Sequence, residues 1–254
     1  MSTTRLRIAQ LSDLHLTASD QGLYRGRSSR QALCLALDQA CAGGADRLLL
    51  SGDLAQDVEP ATYAWLVVQL EKTGRPWHWL PGNHDAPEMM QSWAATEWEA
   101  IWAGWQVIGL STHQPHSAAG RLNASSLARL KQASAQNQPL LIALHHPPLL
   151  ADRPWLNSIG LENAADFWTA LQDRTAPCVI LAGHWHQALE QSRREAQCWV
   201  APSTVMQFSS TSQEFALAPE VGGGLRWVDI TAQGQIQTQI RHWPLESSRL
   251  MCSK

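Results

Sequence analysis

Long apolar runs, charge and paired cysteines are all scarce in these 254 residues, and each scarcity excludes a class of protein. No apolar run reaches the roughly 18 residues that a membrane-spanning helix needs, so no spanning helix is expected. Met1 to Leu6 leads into a strand-like segment without the apolar stretch of about 7–15 residues that a secretory leader carries, so no leader is expected either. Charged residues make up 16% and hydrophobic residues 44%, a balance that excludes intrinsic disorder and a highly charged coiled coil. Lys plus Arg number 19 against 22 Asp plus Glu, giving a net charge of -3, and no basic run is long enough to track a phosphate backbone. A dedicated nucleic-acid binder is therefore not expected. Cys34, Cys41, Cys178, Cys198 and Cys252 are odd in number, scattered and form no CxxC, which argues against a disulfide framework and a thiolate zinc site and for thiols in a reducing cytoplasm.

What is present is an alternation of short apolar runs with amphipathic stretches. Arg7 to Leu11, Leu48 to Leu50, Trp77 to Leu80, Val107 to Leu110, Leu140 to Leu144 and Val179 to Leu181 read as largely buried strands. Between them, helices are predicted from about Ser28, where Leu33, Leu37 and Cys41 recur at i, i+4 spacing until Gly43-Gly44, and from Pro60. Further helical patterns cover about Glu88 to Ala103, Ser125–Ala135 and Leu161–Leu171. After Gln187 only strands are predicted, near Cys198–Ala201, Leu225–Ile230 and Ile236–Arg241, with a mobile loop near Thr211–Gly224. This is an α/β chain expected to form one domain over 1–254, with a β-rich portion from about 188. The 13 Trp residues, among them Trp93, Trp98, Trp102 and Trp105, read as core packing.

Polar clusters follow the apolar runs: Asp13-Leu14-His15, Gly52-Asp53, Gly82-Asn83-His84-Asp85, His145-His146 and Gly183-His184-Trp185-His186. Singly, each reads equally well as a polar loop, a turn or a satisfied core histidine. All five, however, fall at the carboxyl ends of predicted strands, where open α/β sheets assemble their sites. Together they offer carboxylate, imidazole and amide oxygen without thiolate, a donor set suited to a pair of divalent metals.

In this order the residues resemble the calcineurin-like metallophosphoesterase family, whose pattern D-x-H, G-D, G-N-H-D, H, G-H-x-H is matched from Asp13 to His186. More narrowly the chain resembles the bacterial class III cyclic-nucleotide phosphodiesterases of the 3′,5′-cyclic AMP type, through Ser12 to Leu16, Gly52 to Asp57, Leu80 to Asp85, His145-His146-Pro147-Pro148, Trp155-Leu156 and Pro202-Ser203-Thr204. Ser111 departs from that likeness, which has Asp there, and leaves local loop support open. The resemblance implies a four-layer αββα sandwich, two packed mixed sheets flanked by helices, with a dinuclear metal site at strand ends. It implies that Asp13, His15 and His186 hold one metal, Asn83, His145 and His184 the other, and that Asp53 bridges both. The cofactor implied is two divalent ions per chain, iron or manganese, with zinc or cobalt as alternatives. The implied reaction is hydrolysis of 3′,5′-cyclic AMP to 5′-AMP by a metal-bridging hydroxide, with Asp53 and His84 catalytic, His84 acting on the departing oxygen. His15, Asn83, His84, Asn163 and His186 are expected to contact substrate, Asn163 being the favoured contact outside the metal motifs, and His146, Trp155, Trp185 and Thr204 are further candidates for base and ribose. The partner expected is thus a small cyclic nucleotide, with neither nucleic acid nor membrane, and the C-terminal strands are where a homodimer could form. A phosphodiesterase for glycerophosphodiesters or nucleotide-sugar pyrophosphates, and a catalytically silent metal-binding scaffold, are the competing readings.

Overall fold

The computed structural model describes residues 5–244. In chain order the elements are β1 (Arg5–Leu11), α1 (Ser29–Ala42), β2 (Arg47–Ser51), α2 (Pro60–Lys72), β3 (Trp77–Leu80), α3 (Pro87–Met90), β4 (Trp98–Trp102), β5 (Trp105–Gly109), α4 (Ala124–Ala135), β6 (Leu140–Ala143), α5 (Pro154–Ser158), α6 (Ala164–Ala170), β7 (Cys178–Ala182), β8 (Leu189–Arg193), β9 (Ala196–Val200), β10 (Gln207–Phe208), β11 (Leu217–Ala218), β12 (Gly223–Thr231) and β13 (Ile236–Trp243). One sheet has the order β13-β12-β1-β2-β3, a second the order β4-β5-β6-β7-β9-β8, and β10 pairs with β11 in a small ribbon. The inner strands run parallel, β1 with β2 with β3 and β5 with β6 with β7 with β9, while β12, β13, β4 and β8 add antiparallel margins.

Strand periodicity sorts the core into three layers. In β1 and β2, Ile8 and Leu49 face the second sheet and meet Val107, Leu141, Val179, Leu181 and Val228. Their neighbours Ala9, Leu11, Leu48 and Leu50 face the other way, onto Leu33 and Leu37 of α1 and Tyr63, Leu66 and Leu70 of α2. On the far side Leu140, Ile142 and Ile180 pack against Leu130 of α4 and Phe167 of α6. A strand buried on both faces is predominantly apolar, which is why Leu48–Leu50 of β2, β6 and β7 read as continuous rather than alternating runs. The four layers are helix, sheet, sheet, helix, as the resemblance implied.

Local signals open three of the six helices among the described residues. Ser28 caps α1 by accepting from Gln31 N–H, Pro60 opens α2, and Asn123 caps α4. The stretch predicted as helical from Glu88 to Ala103 is a correction: only α3 is helical there, and β4 follows it. Trp98 and Trp102, four apart, satisfy a helix stripe and one face of a strand equally, and here they share a strand face. Trp93, expected in the core, is 38% exposed. Cys41, Cys178 and Cys198 are free thiols, whereas Cys34 is disulfide-bonded, which corrects the expectation of thiols throughout. Ser111 finds its support locally, its N–H donating to Glu97, which also accepts from Ser126 Oγ. Among the described residues no helix is long and apolar enough to cross a membrane.

Candidate metal centre

Four of the five polar clusters continue the strand pairing just past the sheet ends. Asp13 N–H donates to Gly52 O (3.0 Å), His15 N–H to Asp53 O (2.9 Å) and Gly183 N–H to His145 O (3.0 Å). Gln10 Nε2, buried beneath them, donates to Ser51 Oγ and Ala182 O, both at 2.9 Å, and so joins the two sheets under the site. Asp13, His15, Asp53 and Asn83 come from the first sheet; His145, His184 and His186 come from the second.

Close approach explains the glycines of the motifs. A side chain at Gly52, whose φ is +96°, would collide with His145 Nδ1, and one at Gly183 would collide with Ser12 Oγ and crowd Asp13. The functional residues carry the strain instead: Asp13, His15, Asp53, His184 and His186 all have left-handed backbones, at φ 54, 45, 52, 71 and 45°. Such a conformation costs about 1–2 kcal/mol per non-glycine residue, comparable to what burial of one leucine contributes. Three packed core layers can hold five of them, and clustered strain of this kind marks sites rather than linkers.

Asp13, His15, Asp53 and His186 are buried with ligand atoms all within 4.8 Å of one another. Each imidazole is fixed through one nitrogen, leaving the other to point inward. Nδ1 of His15 faces Gln56 Oε1 at 2.9 Å, Nδ1 of His186 faces Met206 O at 2.7 Å, Nδ1 of His145 faces Ser51 O at 2.7 Å, and Nε2 of His184 faces Ile159 O at 2.8 Å. Anchoring of this sort sets the tautomer of metal-ligating histidines. The two Nε2 atoms of His15 and His186 then face each other at 3.1 Å, lone pair toward lone pair, an arrangement that a shared cation stabilises.

A second imidazole group contains His145, His146 and His184. His146 is excluded as a donor by its own bonds, since Nδ1 meets Thr112 Oγ1 at 2.7 Å and Nε2 meets Ala118 O at 3.3 Å. By contrast Asn83 Oδ1, His145 Nε2 and His184 Nδ1 are buried without a hydrogen-bond partner among the described residues. Buried polar atoms are ordinarily satisfied, and these three orphans are the donors expected for the second metal. Asp53 faces both groups, with Oδ1 3.4 Å from His145 Nε2 and Oδ2 3.8 Å from His15 Nε2.

Titration follows the geometry. Burial pushes His184 and His186 down to about 3 and His15 well below its usual range, so these imidazoles are neutral, the form that binds metal. His145 is opposed by burial too, yet the Asp53 carboxylate outweighs it and pushes it up to about 9. Burial would raise Asp53, but His145 and His15 hold it well below the carboxylate range, while burial pushes Asp13 up to about 7.

His84 stands apart from these groups. Its backbone N–H donates to Asp53 Oδ1 at 2.9 Å, and its half-buried ring lies edge-on to His15, 5.0 Å between centroids. Asp85 locks the loop: its carboxylate accepts from Gly82, Leu54 and Ala55 N–H and from Tyr63 Oη.

The outer candidates divide. Asn163 is not turned to the site: its Oδ1 accepts from Leu122 N–H and its Nδ2 donates to Leu122 O, both at 3.0 Å, so it clamps a loop in place of the substrate contact expected. His146 is tied as described, Trp185 is buried in the helix-side core, and Thr204 is fully buried. Trp155 is half-buried and packs edge-on against Phe208 and Phe215. Two aromatics that no motif announced back the centre: Tyr24 stacks on His15 (4.2 Å, 5°) and Phe208 on His186 (4.1 Å, 4°).

Two face-to-face mixed sheets with carboxylates and imidazoles gathered in adjoining groups beyond their strand ends define a metal-dependent hydrolase of the two-sheet sandwich class. The chain belongs to the calcineurin-like phosphoesterase family, whose pattern matches residues 6–188. It is 33% identical over 244 residues to a protein of Synechococcus sp. named a probable cyclic nucleotide phosphodiesterase, covering 94% of this chain and 92% of that one. It is 31% identical to the 3′,5′-cyclic adenosine monophosphate phosphodiesterase CpdA of Vibrio vulnificus, over 95% of this chain and 91% of that one. A dimetal phosphatase from Danio rerio shares the fold, with a TM-score of 0.64 over 92% of this chain and 98% of that chain at 14% identity.

Proposed function

We propose that this chain is a metal-dependent phosphodiesterase that hydrolyses 3′,5′-cyclic AMP to 5′-AMP. The observation that carries the reading is the set of donors left over by the fold: Asn83 Oδ1, His145 Nε2 and His184 Nδ1, buried without a hydrogen-bond partner among the described residues, and the opposed Nε2 atoms of His15 and His186, with Asp53 facing both His145 and His15. Asp13, His15 and His186 would hold one divalent cation, Asn83, His145 and His184 a second, with Asp53 shared; iron or manganese suits this oxygen and nitrogen set. When bound, such a pair supplies positive charge to the phosphoryl oxygens and a nucleophilic hydroxide at neutral pH.

The chain's own residues supply the rest. Asn83 contributes a neutral oxygen, which limits the negative charge that an anionic diester must approach. His84, half-buried, bonded to Asp53 through its backbone N–H and outside the donor set, would deliver a proton to the departing 3′ oxygen. Water adds to phosphorus, the bond from phosphorus to the 3′ oxygen breaks, and that oxygen takes the proton, leaving 5′-AMP. The substrate follows from the relatives named for cyclic nucleotides, which align over more than nine-tenths of the chain.

The test is reconstitution of chelator-stripped protein with manganese, iron, cobalt or zinc, counting bound metal and assaying 3′,5′-cyclic AMP, a glycerophosphodiester and a nucleotide sugar. Two ions per chain and preferential release of 5′-AMP support the reading. Preference for either of the other substrates moves it to the broader phosphodiesterase, and two bound ions with no turnover on any of them to the silent scaffold.

A further inference from the structure

Beside the donors lies a half-ring of aromatic faces that the reaction as described does not use. Behind His186 sits Phe208, and Phe215 meets Phe208 (5.1 Å, 72°) and Trp155 (5.6 Å, 88°) edge-on. Behind His15 sits Tyr24, and the Arg25 guanidinium closes the gap, 5.5 Å from the Tyr24 centroid and 5.1 Å from that of Phe215. Phe215 is 48% exposed although packed on this cluster, and Arg25 is exposed.

Two further features show that this rim is built. Arg25 has φ 49° and Gly26 φ 82°, the two central positions of a tight turn closed by Tyr24 N–H to Arg27 O and Arg27 N–H to Tyr24 O. A left-handed arginine in such a turn is unfavourable where Asn, Asp or Gly would serve. Arg27 then donates to Val205 O and to Pro219 O, grasping both flanks of the β10–β11 segment that carries Phe208 and Phe215. From the other side Arg153 donates to Ser209 O and to Gln187 Oε1. The turn and the ribbon are thus tied into one preorganised unit.

We propose that Arg25 and Phe215 form a stacking platform at the rim of the metal centre that receives the purine base of the nucleotide. The proposal rests on the cyclic-nucleotide reading and adds to it the site of base selection. A purine presents a flat, electron-rich face that stacks on an aromatic ring and on a guanidinium plane. In the nucleotide the base lies one ribose away from phosphorus, and one ring, that of Phe208, lies between His186 and Phe215. Arg25 and Phe215 therefore act on affinity for the nucleoside part, not on the phosphoryl group.

The measurement is inhibition of bis(p-nitrophenyl) phosphate hydrolysis by 5′-AMP and by ribose 5-phosphate, which share the phosphate and differ in the base, alongside kcat/KM for 3′,5′-cyclic AMP. Phe215→Leu keeps the apolar bulk and loses the ring, Phe215→Trp keeps a ring, and Arg25→Gly suits the turn. The intact chain should prefer 5′-AMP roughly 10- to 100-fold, the range of one stacked base. Phe215→Leu and Arg25→Gly should erase most of that ratio, and Phe215→Trp should retain it. Equal inhibition by both compounds in the intact chain, or parallel weakening of both in Phe215→Leu, overturns the platform. Absence of cyclic AMP hydrolysis together with a Phe215-dependent preference for 5′-AMP leaves the platform standing and removes the cyclic AMP reading. Cyclic AMP hydrolysis with a preference indifferent to both side chains does the reverse.

Discussion

At Asp53 two demands meet in one carboxylate: it faces both groups of donors, and its Oδ1 accepts the backbone N–H of His84. The same bond that orients the carboxylate therefore also fixes the backbone of His84, the residue proposed to protonate the leaving oxygen. His84 holds no position in the donor groups, and none of its ring nitrogens is bonded among the described residues, so its removal should leave the metal site intact. His84→Ala is expected to keep near-normal metal content while turnover falls roughly 10²–10⁴-fold, the range for one acid–base group. Metal analysis on the assayed sample separates this from a ligand role, in which metal and activity would fall together. The gathering of Asp13, His15, Asp53 and His186, and of His145 with His184, was readable in the sequence because metal chemistry restricts donor types. Orientation was not: His146 adjoins His145 in one motif and Asn163 lies outside the metal motifs, and only their bonds to Thr112, Ala118 and Leu122 show that both side chains are tied to neighbouring loops.

Among the elements, those that position the site were the most legible, because β2, β6 and β7 are buried on both faces and carry unbroken apolar runs followed by polar clusters, while β1 and β3 keep the pattern apart from Arg5, Arg7, Gln10 and His78. What escaped was short antiparallel pairing. β4 and β5 form a hairpin in which Trp102 pairs with Trp105 across Ala103 (φ 47°) and Gly104 (φ 82°), a two-residue turn that four-residue tryptophan spacing disguised as a helix. β8, with one partly buried and four exposed residues, carried no apolar signal at all. The Arg25-Gly26 turn belongs to the same class. Between the loops that follow β2 and β3, Asp53 accepts one amide and Asp85 makes the denser connection, accepting from three backbone amides and a tyrosine hydroxyl. Asp85→Ala should leave four buried donors short of an acceptor and destabilise the fold by about 3 kcal/mol. Thermal unfolding of metal-free protein is the measurement, and a change below about 0.5 kcal/mol would mean the two loops hold their geometry without the carboxylate.

At the scale of the whole molecule the donors span the junction between the two sheets, so metal bound there acts as a clasp on the entire sandwich. A ligand that binds only the folded state at 100 times its Kd contributes about 2.7 kcal/mol, and for a chain of this size each kcal/mol shifts Tm by about 2–4 °C. Saturating metal should therefore raise Tm by roughly 5–10 °C over chelator-treated protein for a single site. Protons compete for the same atoms. In the metal-free chain Asp53 pushes His145 up to about 9, so that pair stabilises the metal-free fold fully below the ordinary histidine pKa of about 6.5 and loses its contribution as pH rises through about 9. Metal affinity moves the opposite way, gaining up to about tenfold per pH unit over the same window as the His145 proton becomes easier to displace. The difference in Tm between loaded and stripped protein should accordingly widen from pH 6.5 to 9, and in Asp53→Ala it should collapse, since both the shared carboxylate and the charge that holds the proton on His145 are gone. A Tm difference that stays constant across this window would remove His145 from the donor set, and one that survives intact in Asp53→Ala would show that the clasp does not pass through Asp53.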